Sequence, residues 1–183
     1  TTLTVENSLF VNNAADGSSS ANDARGGAIG VWEHCEIDID FCTFYGNSCD
    51  DIGSDPDDVA DNNGGLEGGA ISTNSDHNPC ATTVASSILW GNGPYEISFN
   101  TSKSDTLAVA YTDIQGAGAA YTGTGNINAD PLFTNPGGSA AADYTLQSGS
   151  PCIGAAGTAS VPDYDLAGET RSSSDPDMGA YER

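Results

Sequence analysis

Acidic side chains are the residues of this 183-residue chain whose number and spacing could do chemistry. Asp38 and Asp40 alternate with isoleucines in a strand-like segment, and Glu6 occupies the place of Asp40 in an earlier, similar segment. Clustered acids on neighbouring strands are what glycoside hydrolysis requires, at a separation suited to inversion or retention. Outward acids also meet by chance in a chain with 26 Asp and Glu, and we expect no catalytic site here.

A second acidic pattern could bind Ca²⁺, which takes carboxylate and other oxygen ligands. Six aspartates lie close together in one polar segment: Asp50, Asp51, Asp55, Asp57, Asp58 and Asp61. Their spacing is not that of an EF-hand loop, and a hydrated loop without metal is the alternative. A smaller acidic group follows near the C-terminus: Asp163, Asp165, Asp175 and Asp177. Ca²⁺ is the one cofactor for which the sequence gives a reason.

Basic residues are scarce, which excludes several kinds of function. The net charge is −22, and the chain has only four basic residues: Arg25, Lys103, Arg171 and Arg183. No basic patch for nucleic acid or an anionic membrane can form, and no apolar run is long enough to insert into a membrane. Arg25 alone lies beside a repeat, and we expect it to pair with an acid. The loop residues His34 and His77 have no nucleophile placed beside them.

The five cysteines include no CxxC pair, so we do not expect a zinc site. Cys42 occupies an inward position of the repeat described below and is expected in the core. The other four are candidates for disulfides in an extracellular protein: Cys35, Cys49, Cys80 and Cys152. Because the count is odd, at least one thiol stays unpaired or has a partner outside this chain.

The elements that position these residues follow from a repeat. Four segments align: Leu3–Asn13, Ile37–Asn47, Thr82–Asn92 and Leu107–Ala117. Their third position is always aliphatic: Val5, Ile39, Val84 and Val109. Five residues later comes a large apolar residue: Phe10, Phe44, Leu89 and Ile114. A second repeat, Gly-Gly-Ala-Ile, occurs at Gly26–Ile29 and Gly68–Ile71. Repeats of this spacing are typical of a solenoid.

The alternation of apolar and polar residues within each segment predicts strands, and nothing predicts helices. We therefore predict an all-β chain, a right-handed parallel β-helix of about four to five coils in which equivalent residues stack in inward columns. Residues 1–117 would form the coils, with loop insertions at 14–25 and 48–67. Residues 118–183, which are turn-rich, would form the last coil and a C-terminal capping region.

Two further sets of residues have predicted positions. Asn13, Asn47 and Asn92 end their segments, where asparagine favours a turn and could form a side-chain ladder between coils. Tyr45 and Trp90 share one repeat position next to inward residues and should form an outward column. With Trp32 and Tyr95 they are the predicted surface for a sugar or a partner protein.

The C-terminal third carries a series of motifs: Asn126–Phe133 (NINADPLF), Asp143–Leu146 (DYTL), Gly149–Ala155 (GSPCIGA) and Asp177–Glu182 (DMGAYE). This series resembles the C-terminal region of secreted bacterial right-handed parallel β-helix proteins. The upstream F-x-x-N and GGAI pieces resemble the repeats of polymorphic outer-membrane protein passengers. The resemblance covers nearly the whole chain, and it implies secretion and a right-handed β-helix without implying one activity.

The sequence thus predicts an extracellular structural or adhesive module, associated with a cell surface or matrix. Its partners would be other copies of itself or other surface proteins. The first coil would leave an open strand edge, at Thr2, Leu3, Thr4 and Val5, and such edges template pairing with another chain. Head-to-tail stacking through this edge would give filaments. The alternative function is a fragment that binds or degrades polysaccharide.

Overall fold

The computed structural model describes residues 1–16, 25–50, 68–75, 77–101, 104–116 and 121–183. Within these ranges the chain forms thirteen strands, one 3₁₀ turn at Ala141–Tyr144 and no α-helix. Strand pairs are all parallel, which confirms the predicted all-β class and parallel pairing. No helix of the described residues is long and apolar enough to cross a membrane.

The strands form four sheets, named A to D here. Sheet A contains, in spatial order, β1 (Thr2–Glu6), β5 (Glu36–Asp40), β9 (Ala81–Ala85) and β12 (Thr106–Ala110). Sheet B contains β2 (Leu9–Val11), β6 (Thr43–Tyr45), β10 (Ile88–Trp90) and β13 (Asp113–Ile114). Sheet C pairs β3 (Ala14–Asp16) with β7 (Ser48–Asp50). Sheet D contains β4 (Ile29–Trp32), β8 (Gly68–Asn74) and β11 (Tyr95–Phe99).

The register of these sheets confirms the predicted columns. In sheet A the aliphatic positions pair directly: Val5 with Ile39, Ile39 with Val84, and Val84 with Val109. In sheet B the large apolar positions do the same: Phe10 with Phe44, Phe44 with Leu89, and Leu89 with Ile114. The Gly-Gly-Ala-Ile repeat also aligns, because Ile29 pairs with Ile71 in sheet D. These columns meet in one buried cluster, the inner core.

Sheets A and B are joined by the same corner in every repeat. Two residues separate the strands, and the first of them has a positive φ at all four equivalent positions: Asn7, Phe41, Ser86 and Tyr111. A left-handed backbone is uncommon for a bulky side chain such as Phe41, whose N–H donates to the carbonyl of Ala85 at 3.3 Å. Ser87, the next residue in its repeat, donates its hydroxyl to the carbonyl of Ala85 at 2.6 Å. Its hydroxyl oxygen also accepts the N–H of Cys42 at 3.0 Å, which links two repeats.

The three asparagines form the predicted ladder. Asn47 is fully buried, and its Oδ1 accepts both the backbone N–H and the side-chain amide of Asn13, at 3.0 and 2.8 Å. Its own amide donates to Asn92 Oδ1 at 2.7 Å and to the carbonyl of Phe10 at 3.0 Å. Beyond Asn92 the ladder ends on a carboxylate, because Glu96 accepts the backbone and side-chain N–H groups of Asn92.

The structure differs from prediction at the two insertions. Strands β3 and β7 occupy the first residues of the segments predicted as loops at 14–25 and 48–67. Pairing of these strands places Ala15 beside Cys49, which is buried. Three-residue strands carry too little periodicity to stand out from polar neighbours, which is why the sequence reading missed them. Most remaining residues of both insertions, 17–24 and 51–67, lie outside the described part of the chain.

The C-terminal region packs along the side of the sheets as well as at their end. Ala180 N–H donates to Thr43 Oγ1 at 3.0 Å, and Gly179 N–H donates to the carbonyl of Ser86 at 2.8 Å. Asn7, in the first repeat, donates to the carbonyl of Tyr164 at 2.8 Å. A second buried cluster, the outer core, forms beneath this region. The predicted capping role describes only part of this region, because residues 129–183 also run back across the repeats.

Candidate interaction surfaces

The first four strands along the chain, β1, β2, β3 and β4, are each the terminal strand of their sheet. The edges of these four strands are called the N-terminal face here. Leu3 is 42% exposed there, Thr2 and Thr4 are exposed, and Val5 is half-buried. The predicted edge residues therefore lie on a sheet edge. Phe10 stacks on Phe44 with ring centroids 4.7 Å apart, and its half-buried ring ends this column.

The opposite edge of sheet A, at β12, is partly covered by residues 121–127. Tyr111 donates its backbone N–H to the carbonyl of Thr124 at 2.8 Å. The amide of Asn126 donates to the carbonyl of Val109 at 3.0 Å. These bonds use backbone groups with which another strand would pair at the end of β12. The two edges of sheet A, at β1 and at β12, are therefore chemically different.

The predicted aromatic column exists, but the C-terminal region covers it. Tyr45 pairs directly with Trp90 in sheet B, and both side chains are half-buried. The ring of Tyr45 contacts the rings of Tyr144 and Phe133, with centroids 5.2 and 5.7 Å apart. Trp90 packs against the same outer core. Tyr45 and Trp90 thus face away from the inner core as predicted, and they anchor the C-terminal region.

Trp32 and Tyr95 do not join that column, and they do not meet each other. Both lie in sheet D, where Trp32 pairs with Asn74 and Tyr95 pairs with Gly68. These positions lie at opposite ends of β8, roughly 20 Å apart at the rise of an extended strand. Trp32 is 49% exposed, and the guanidinium carbon of Arg25 lies 3.7 Å from its ring centroid. The four aromatic residues therefore form no common groove, and polysaccharide binding through them stays a prediction.

The paired acids of the first two repeats lie directly opposite each other, since Glu6 pairs with Asp40 in sheet A. Burial raises the pKa of Asp40 to about 6, against a hydrogen bond from Ser86, and the nearby charge of Glu6 raises it further. Arg171 lowers it from the other side. Asp40 therefore takes up a proton near pH 6. It is flanked by the C-terminal region, whose Arg171 donates to Asn7 Oδ1 at 2.9 Å.

The cysteines divide into two kinds. Cys35 and Cys80 form a disulfide that joins the starts of β5 and β9. Cys49 is buried in β7. Cys152 keeps its thiol, which is fully buried and donates to Asp113 Oδ2 at 3.1 Å. Of the four disulfide candidates, one pair is therefore bonded.

The calcium prediction lies almost wholly outside the described residues. Asp50 ends β7, whereas the remaining five aspartates of the cluster are not described: Asp51, Asp55, Asp57, Asp58 and Asp61. Among the residues that are described, no group of acids, histidines or cysteines has the arrangement of a metal site. In the second acidic group, Asp165 accepts the N–H groups of Ala167, Glu169 and Glu182. That carboxylate organises the C-terminal turns.

A cleft of about 420 Å³ lies at the end of the asparagine ladder. Its lining residues come from the β10–β11 connection, from the start of β11, from the turn after β13 and from the start of the C-terminal region: Asn92, Pro94, Tyr95, Glu96, Gln115, Gly116 and Tyr121. Of these residues, only Tyr95 was predicted to belong to a binding surface. Glu96 could have been found from the repeat itself, because the fourth segment has Ala117 where the others have asparagine, and the ladder needs a final acceptor.

No family model, curated protein or solved structure matches this chain.

Proposed function

We propose that the chain is a right-handed parallel β-helix module of an extracellular structural or adhesive protein, associated with a cell surface or matrix. Support for the solenoid comes from the register, in which equivalent residues of successive repeats pair in every sheet. The hand follows from the strong right-handed preference of crossovers between parallel strands. The Cys35–Cys80 disulfide fits an oxidising compartment, where such bonds persist.

The observation that supports an interaction role is the N-terminal face. A sheet edge offers unpaired N–H and C=O groups to another strand, and this face comprises four such edges. The inward columns also end there, at Leu3, Val5 and Phe10, so that apolar area is available beside the backbone groups. The face therefore offers both the hydrogen bonds and the hydrophobic contact of strand addition.

A second copy of the same chain is the occupant that we propose for the isolated protein. Head-to-tail stacking would require β1 to pair with β12, but Thr124 and Asn126 already bond the Tyr111 and Val109 backbone. Pairing of two N-terminal faces meets no such competition from the described residues, and it gives a closed, two-fold dimer. The filament predicted from the sequence is the alternative to this dimer, and the experiment below distinguishes the two.

Sedimentation velocity over a concentration series tests this proposal. We expect a monomer–dimer equilibrium that strengthens with added salt, because two chains of net charge −22 repel each other. Leu3→Lys should weaken the dimer at least tenfold. Leu166→Lys is the matched control, since Leu166 is 43% exposed but lies in the C-terminal region.

Three results would overturn the proposed interface. One is a monomer at every concentration and salt level. Another is equal weakening by Leu3→Lys and Leu166→Lys. The last is the formation of long uniform fibres in electron micrographs, which would favour head-to-tail stacking.

A further inference from the structure

The cleft at the end of the asparagine ladder combines a buried acid with two tyrosines. Glu96 is only 5% exposed, yet it lines the cleft together with Tyr95 and Tyr121. Tyr95 is 38% exposed, and the hydroxyl of Tyr121 donates to the carbonyl of Ile97 at 3.0 Å. Because the Tyr121 hydroxyl hydrogen is used in this bond, its oxygen can only accept a hydrogen bond from a ligand.

The hydrogen bonds of the Glu96 carboxylate hold it in place without neutralising it. Its two oxygens accept the backbone and side-chain N–H groups of Asn92, which are neutral donors. Arg171 and His77 form their ion pairs with other acids, Glu182 and Glu33. A buried carboxylate without a cation is costly, and a cationic ligand would remove that cost.

The aromatic side chains and the net charge of the chain have the same preference. Gln115 does not add to it, because its Oε1 already accepts the N–H of Gly91 at 2.7 Å. Aromatic faces attract cations through the ring quadrupole, and carboxylates beside them strengthen the attraction. The net charge of −22 raises the local concentration of cations and repels anions.

We propose that this cleft binds a small organic ammonium group, held between Tyr95 and Tyr121 with Glu96 as its counter-ion. The volume of about 420 Å³ lies within the range of small-molecule sites. The proposal is independent of the N-terminal face, since sheet D places Tyr95 on β11 and the exposed edge on β4.

Binding of such a cation should depend on pH through Glu96. Burial raises the pKa of Glu96 to about 7, against the hydrogen bonds from Asn92 and Gly91, and the charge of Asp113 raises it further. The other titratable groups at the cleft are Tyr95 and Tyr121, and burial raises the pKa of the Tyr121 hydroxyl to about 12. From the ionised fractions, apparent affinity should be about thirtyfold higher at pH 8 than at pH 5.5.

Choline is a suitable probe, and 3,3-dimethylbutan-1-ol is its neutral isostere. We expect choline to shift the ring resonances of Tyr95 and Tyr121 in NMR titrations at pH 8, with the isostere binding at least tenfold more weakly. Tyr95→Ala should lower the choline affinity at least fivefold, whereas Tyr164→Ala, which removes a tyrosine that is 58% exposed elsewhere, should leave it unchanged.

Glu96→Gln should abolish the pH dependence, with the folded state of the variant verified by circular dichroism. Should that variant not fold, the pH dependence in the wild type and the Tyr95→Ala comparison still decide the question. The proposal is overturned by equal affinity for choline and its isostere, or by binding of choline that does not depend on pH. It is also overturned if choline does not bind at 50 mM, since small cations at aromatic sites are expected to bind with roughly millimolar affinity. Preferential binding of a neutral sugar such as methyl glucoside would also overturn it.

Discussion

Removing the side chain of Asn47 should destabilise the protein far more than removing that of Asn13, although both belong to the same ladder. Asn47 is fully buried and takes part in four side-chain hydrogen bonds, two as acceptor and two as donor. Asn13 is exposed at the N-terminal face, and its side chain makes one of these bonds, to Asn47 Oδ1.

The magnitudes follow from this count. A typical intramolecular hydrogen bond contributes about 1 kcal/mol net, and a buried group left without a partner costs about 1–3 kcal/mol. Asn47→Ala removes four bonds and leaves the carbonyl of Phe10 without this donor, so that we expect a loss of about 4 kcal/mol. Asn13→Ala should cost about 1 kcal/mol, because water replaces its single bond. Asn92→Ala should resemble Asn47→Ala, since Asn92 is 7% exposed and its side chain bonds both of its ladder neighbours, Asn47 and Glu96.

Urea unfolding followed by tryptophan fluorescence measures these differences, with the disulfide intact in all variants. The slope of free energy against urea should be the same in each, so that the midpoints report stability directly. The ladder account is refuted if Asn47→Ala and Asn13→Ala lie within about 1 kcal/mol of each other, which is the size of one hydrogen bond.

Three other predictions concern buried charge and the covalent link. Burial raises the pKa of Asp113 to about 6, so its contribution to stability is present below about pH 4 and is lost as the pH rises through 6. Asp113→Asn should therefore stabilise the fold by about 2–3 kcal/mol at pH 8 and by almost nothing at pH 4. Urea unfolding at the two pH values measures this difference. Reducing the Cys35–Cys80 bond should lower stability by about 2–4 kcal/mol, seen as an earlier urea midpoint with dithiothreitol. Arg171→Met removes the donor to Asn7 and the carbonyl of Gly179, and it should increase hydrogen exchange of 177–181 more than that of β9. A uniform increase over the chain would contradict the last prediction, and unchanged stability would contradict each of the first two.

The inner columns were predictable because equivalent residues differ little in size and hydrophobicity from one repeat to the next. Val5, Ile39, Val84 and Val109 gave the register of sheet A without any structural information, and the structure reproduces it. The asparagine ladder was equally visible, since the three side chains end their segments at one repeat position.

The outer core was not predictable in the same way. Gly179 and Ala180 contact Ser86 and Thr43, more than ninety residues earlier in sequence, and no periodicity relates the two regions. The positive φ at Phe41 also escapes sequence reasoning, because that conformation normally favours glycine or asparagine. Here a bulky ring is tolerated since it packs into the outer core and against the guanidinium of Arg171.

The cleft was missed for a related reason. Glu96 follows Tyr95 in β11, where an acid reads as one more surface carboxylate in an acidic chain. Glu96 ends the ladder because the fourth repeat has no asparagine at the equivalent position. Only alignment of the repeats in register shows that this asparagine is missing.

Cysteine cross-linking tests the proposed N-terminal interface most directly. Thr4 is exposed at the centre of β1, so that a two-fold antiparallel pairing of β1 with its copy would bring the two Thr4 positions together. We predict that Thr4→Cys forms a disulfide-linked dimer under mild oxidation, and that Thr158→Cys, at an exposed C-terminal position, does so no faster than random collision. Equal cross-linking of the two variants, or none in either, would contradict the interface.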